Sequence, residues 1–128
     1  MNRIASGLGA ALLSLASLGA GGTAIAAPTK VKVFVASMFE IGANTGDRAG
    51  EFQHWYERYW QKSQPHEARG ALKPVYCNEA GVCGAVLGMG KVNSSSSMQA
   101  ILLDPDYDFS QAYFLITGVA GTPPSRGT

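Results

Sequence analysis

Gly88-Met89-Gly90-Lys91 is the segment whose residue types and spacing best suit chemistry. It follows a β-prone run and opens a helical pattern, where backbone N–H groups relieved by glycine can hold an anion and Lys91 can add charge. The spacing is not that of a Walker A loop, because Ala85 stands at the first Gly position and Val92 at the Ser/Thr position. Nor is it G-x-G-x-x-G, since Asn93 replaces the last glycine. A plain tight turn fits the spacing equally well. Glu40, just beyond the first strand, is the acidic residue at a strand's carboxyl end and can serve as a general acid or base. A loop charge is the alternative. His54 and His66 have no patterned partner and read as surface residues, and there is no G-x-S-x-G elbow. No metal or cofactor set is indicated.

The elements that must position these residues follow from periodicity. Lys30 to Ala36 alternates and then becomes continuously apolar, which predicts a strand entering a buried sheet. Ser37 to Ala49 carries Gly42, Asn44, Gly46 and Asp47 without an apolar period, so it is a loop, long for its place and of the kind that is often functional. Gly50 to Lys62 predicts a helix with Phe52, Trp55, Tyr56, Tyr59 and Trp60 on one face. That stripe reads as core, although one of its rings can still stack on a base. Gln64 to Lys73 reads as a connection. Pro74 to Cys77 and Val82 to Leu87 flank Asn78-Glu79-Ala80-Gly81 and predict a hairpin with Cys77 facing Cys83 across its tip. Lys91 to Leu103 predicts a second helix, with Val92, Met98, Ile101 and Leu102 apolar and a serine run at 94–97 that suits close approach to a sheet. Asp104-Pro105 ends it. Ala112 to Thr117 predicts a central strand buried on both faces, leading into Gly118-Val119-Ala120-Gly121. The order strand, helix, hairpin, helix, strand implies an α/β layer with a mostly parallel sheet, and open sheets of this class bind ligands at strand carboxyl ends.

Residues 1–26 have the parts of a cleaved secretory signal: Arg3, an apolar centre from Leu8 to Leu18, and Ala24-Ile25-Ala26. A membrane anchor is the alternative, weakened by five glycines and four polar residues in the run. The ten Lys and Arg fall to nine without Arg3, against nine Asp and Glu. Such balance excludes an electrostatic nucleic-acid binder. No later run reaches the roughly 18 apolar residues of a spanning helix, so residues 27–128 alone are not expected to form a conducting pore. In an exported chain a Cys77–Cys83 bridge is the natural pairing. A redox or metal pair fits less well, because the spacing is not C-x-x-C and no histidine lies beside it.

Val33 to Glu40, Gly50 to Gln53, Cys77 to Cys83, Gly88 to Asn93 and Tyr113 to Gly121 together resemble the amino-terminal part of the purine nucleoside permease family, in order and over nearly all of residues 30–124. The G-x-G-K block and the T-G-x-A-G strand end also resemble the nucleoside phosphorylase and methylthioadenosine nucleosidase superfamily. The resemblance implies a three-layer α/β fold, a central mixed sheet flanked by helices, with a nucleoside site at the strand ends. It implies ligand binding by Ser37 and Met38 in loop 37–46, by Gly88, Gly90 and Lys91, and by Gly118, Val119, Ala120 and Gly121, with Glu40 the local candidate acid or base. The superfamily's enzymes commonly carry Ser where this chain has Val119, and its phosphorylases Arg where it has Ile116. Those departures speak against phosphate capture and place hydrolysis before phosphorolysis. Three functions are therefore expected in turn. The first is purine nucleoside binding by an exported protein that supports uptake, with a homo-oligomer or membrane partner open. The second is N-glycosidic cleavage. The third is an inactive, truncated remnant, because family members run well over twice this length.

Overall fold

The computed structural model describes residues 26–118 and Ser125. The predicted signal segment, apart from Ala26, and Val119, Ala120 and Gly121 lie outside the described residues. The chain forms β1 (Thr29–Lys30), β2 (Val33–Ser37), α1 (Gln53–Tyr59), β3 (Pro65–His66), β4 (Val75–Cys77), β5 (Val82–Val86), α2 (Lys91–Leu102), β6 (Tyr107–Asp108) and β7 (Tyr113–Thr117). Five strands make a mixed sheet in the order β3-β4-β5-β2-β7, and β1 pairs with β6 in a small parallel sheet of its own. β2 runs parallel to both β5 and β7, whereas β3, β4 and β5 form antiparallel pairs. The fold class is therefore α/β, with a sheet less parallel than the element order implies.

Alternation along β2 sends residues to two cores, as a strand with helices on both sides requires. Phe34 and Ala36 join Val75, Cys83, Ala85 and Ile101 of α2. Val35 joins Phe52, Trp60 and Val86 on the α1 side. The aromatic stripe is core at its ends: Phe52 and Trp60 are fully buried and stack at 5.3 Å. Tyr59, by contrast, is exposed.

The hairpin forms as its sequence predicts. Cys77 pairs opposite Cys83 and the two sulfurs are bonded. Asn78 organises the tip by accepting the N–H groups of Ala80 and Val82 on its side-chain oxygen, at 3.1 and 3.0 Å. Because the bridge closes a short loop, its effect on the unfolded chain is small. The Cys77→Ala, Cys83→Ala double variant is expected to lose about 2 kcal/mol in a urea titration with the fold retained.

Several expectations are corrected. The first helix is shorter than Gly50 to Lys62, because the Glu40 side chain takes up the N–H groups of Gly50, Phe52 and Gln53 and so fixes the helix start. The run from Lys30 to Ala36 is two strands in two sheets, since Lys32 and Val33 turn to Gly81. Pro65–His66, inside the stretch read as a connection, adds an outer strand to the hairpin. Val92 is 79% exposed, so it is not part of the apolar face of α2. Within the serine run only Ser97 is buried, and its hydroxyl accepts the Leu72 N–H at 3.1 Å. Ser94, Ser95 and Ser96 instead donate to carbonyls one turn earlier. The last strand is an edge strand, with no neighbour beyond it among the described residues, and Tyr113 to Ile116 are exposed.

Candidate functional site

The parallel strands β2 and β5 end side by side, pairing Ser37 with Val86. Beyond their carboxyl ends lies a cleft of about 380 Å³. Its lining includes Met38, Glu40 and Asn44 from the loop after β2, Lys73 and Pro74 just before β4, and Tyr76 on β4 itself. Gly88 and Met89 after β5 and the buried Phe52 also line it. This is the strand-end position that open α/β sheets use for ligands. Its mixed lining is that of a small-molecule site, mostly apolar with a few convergent polar groups.

The loop of residues 38–52 is held by its own acids. Glu40 accepts backbone N–H groups from Ile41 and Gly50 on one oxygen and from Phe52 and Gln53 on the other. Its carboxylate therefore both fixes the loop and caps α1, whose own N-cap residue makes no side-chain bond. Asp47 Oδ2 accepts the Ala43 N–H at 2.9 Å, closing the turn at Gly42, where φ is +68°. Glu51 Oε2 accepts the Met38 N–H at 2.9 Å. With its loop so fixed, Asn44 reaches across the cleft and donates to the Tyr76 hydroxyl at 3.1 Å.

Burial, together with Tyr56 and Glu67, pushes the Tyr76 phenol above its ordinary value, outweighing the opposing Asn44 hydrogen bond. The hydroxyl thus stays neutral and able to donate. Burial and the neighbouring Asp104 and Asp106 raise Tyr107 in the same direction. A phenol whose folded value is raised stabilises the fold below the unfolded value of 10.0, and that contribution is lost as pH rises beyond it. Reversible urea titrations should therefore show stability falling from pH 10 upward. The Tyr76→Phe, Tyr107→Phe double variant should show a smaller fall.

The residues singled out by sequence divide in the structure. Met38, Glu40 and Gly88 line the cleft. Gly88 must be glycine: φ is +97°, and a Cβ would lie 2.6 Å from Leu72 Cδ2. Ser37 is fully buried and shares a 2.7 Å hydrogen bond with Thr117 Oγ1, joining the ends of β2 and β7. Gly90 and Lys91 form the exposed start of α2, outside the cleft lining. Gly118 sits against Met38, since a Cβ there would come 3.3 Å from Met38 Cγ and 3.5 Å from the Glu51 carboxylate. Ile116 is exposed on β7.

Sequence reasoning missed Asn44, Lys73 and Tyr76. Asn44 lay in the loop already singled out for its length, but Tyr76 carried only a strand signal. The meeting of residues 32 positions apart has no local signature. It also missed the partners of His66, whose Nε2 lies 3.0 Å from Asp104 and 3.6 Å from Asp106. These three offer ligand atoms within 4.8 Å of one another, but outside the cleft lining, where they tie β3 to the end of α2. Among the described residues, no helix is long and apolar enough to cross a membrane.

Comparison with known proteins agrees with the resemblance read from the sequence. The family model for purine nucleoside permease matches residues 30–128. A purine nucleoside permease of Candida albicans is 29% identical over 102 residues, covering 76% of this chain and 22% of that protein. A probable purine nucleoside permease of Schizosaccharomyces pombe is 30% identical over 96 residues, covering 74% of this chain and 26% of that protein. The chain thus spans about a quarter of the length of these curated relatives. No solved structure matches it. With the family model matched over most of its length, the chain belongs to the purine nucleoside permease family.

Proposed function

We propose that this chain is the purine nucleoside-binding, amino-terminal part of an exported protein that supports nucleoside uptake. The observation that carries the reading is the cleft beyond β2 and β5, where aromatic and thioether side chains meet an amide–phenol pair. A purine is flat and apolar on its faces and polar along its edges. Met38, Met89 and the Tyr76 ring supply surface for the faces, while Asn44 offers both a donor and an acceptor of the kind that reads an adenine edge. The Tyr76 hydroxyl and Lys73 provide further polar contacts for a base or ribose. Gly90 and Lys91 follow Met89 of the cleft lining, and Gly118 adjoins Met38. In this reading both extend the site. Export is supported by the Cys77–Cys83 disulfide, a bond that persists in oxidising compartments, and by the leader-like residues 1–26.

In this reading Glu40 positions the loop, since both its oxygens already accept backbone donors. Isothermal titration with adenosine and inosine tests the function, with chromatography of the same samples for free base. Saturable heat without base release is the expected result, weakened about tenfold, or 1.4 kcal/mol, in Asn44→Ala. Base release would assign N-glycosidic cleavage instead. Neither heat nor base would contradict both.

A further inference from the structure

We propose that His66, Asp104 and Asp106 bind a divalent transition-metal ion of the zinc type, which clamps the outer strand β3 to the end of α2. Among the described residues, these are the three ligating side chains whose donor atoms converge, all within 4.8 Å of one another. His66 Nε2 lies 3.0 Å from Asp104 Oδ2 and 3.6 Å from Asp106 Oδ2. Zinc holds imidazole nitrogen and carboxylate oxygen at about 2.0–2.1 Å in tetrahedral geometry, which sets neighbouring ligand atoms about 3.3 Å apart. The two observed separations bracket that edge.

The local charge favours a cation. Two carboxylates face one imidazole, and among the described residues neither acid pairs with a lysine or arginine. Even with the imidazole protonated, the trio carries net negative charge. The Asp104 side chain is only 9% exposed, a position where an ionised carboxylate needs a close partner. A histidine hydrogen bond satisfies Asp104 alone. Asp106, at 3.6 Å from Nε2, lies beyond hydrogen-bond range, whereas one metal ion engages both carboxylates.

The fold holds all three ligands in place. His66 pairs with Val75 in the β3–β4 ladder, and its ring meets Tyr107 edge-on at 5.1 Å. Asp104 and Asp106 flank Pro105 in the turn between α2 and β6. There Asp104 Oδ1 accepts the Asp106 N–H at 2.9 Å, while Oδ2 meets His66. One imidazole nitrogen with two carboxylate oxygens suits zinc or cobalt(II) better than calcium or magnesium, which take oxygen ligands. The three residues lie outside the cleft lining, so this inference does not rest on the nucleoside reading.

The test titrates the 128-residue chain, dialysed against chelator, with cobalt(II) and with zinc. Cobalt(II) should give a saturable visible absorption band that zinc displaces. Zinc should shift the His66 Nε2 nitrogen resonance and leave that of His54 in place. At zinc about 100-fold above its dissociation constant, the melting temperature should rise by about 10 °C. Asp106→Asn removes a ligand but no hydrogen bond to Asp104 or His66, so the metal-free melting temperature should hold while zinc affinity falls at least about tenfold. Three outcomes would overturn the proposal: no saturable binding up to about 1 mM metal, binding that leaves His66 unshifted, or unchanged affinity in Asp106→Asn. The first would reduce the trio to a hydrogen bond between His66 and Asp104.

Discussion

Trp60→Ala is expected to destabilise the fold by about 3–5 kcal/mol, the range for deleting a large buried aromatic side chain. The indole is fully buried, stacks on Phe52 and donates from Nε1 to the Val82 carbonyl at 2.9 Å. It lies so close to β5 that a Cβ added at Gly84 would fall 2.2 Å from the ring. Removing it therefore leaves a cavity between α1 and β5 and takes the indole donor from the Val82 carbonyl. Against a total stability of about 5–15 kcal/mol for a small domain, the variant is marginal. Gly84→Val is the reciprocal experiment, where overpacking costs about 1–3 kcal/mol. Urea titration of both checks the pair. A loss below about 1 kcal/mol for Trp60→Ala would mean that α1 does not pack on the sheet as described.

The second large effect is at Glu40. Glu40→Ala deletes one carboxylate that accepts four backbone N–H groups, from Ile41, Gly50, Phe52 and Gln53. Hydrogen bonds to a charged group contribute about 1.5–3 kcal/mol each, but the four share one acceptor and water replaces some of them, so the expected loss is about 3 kcal/mol in total. The loop carrying Asn44 should loosen with it, and nucleoside affinity should fall about tenfold. Glu40→Gln keeps one acceptor oxygen and should lie between the two in both measurements. This pattern separates a positioning role from an acid–base role, for which Gln would leave stability and binding close to the parent while abolishing any turnover. An alanine variant as stable as the parent would contradict the anchoring account.

Legibility in the sequence followed how local each signal was. The hairpin could be read because Asn78 and Gly81 sit between two β-prone runs, and the disulfide followed from its tip. The strand-end position of the cleft could be read because Met38, Glu40 and Gly88 all fall just past predicted strands. The cleft's polar pair could not, because Asn44 and Tyr76 meet only once the loop after β2 folds against β4. Nor could the cap of α1: Glu40 lies 13 residues before Gln53, well outside the window in which a local capping pattern is sought. The apolar pattern of β7 predicted burial on both faces wrongly: burial needs neighbours as well as composition, and among the described residues the strand lies at the sheet edge with Tyr113 to Ile116 exposed. Val92 shows the same on a helix, an apolar residue at a helical spacing that meets solvent at the first turn of α2.

The cleft as a nucleoside site is tested most directly by an amide NMR titration of the chain with inosine. Shifts should concentrate at Met38, Asn44, Tyr76 and Met89, saturate with one apparent affinity, and weaken in Asn44→Ala. Saturating shifts confined to Ser95, Met98 and Ile116, outside the cleft lining, or no saturating shifts at all, would contradict the account.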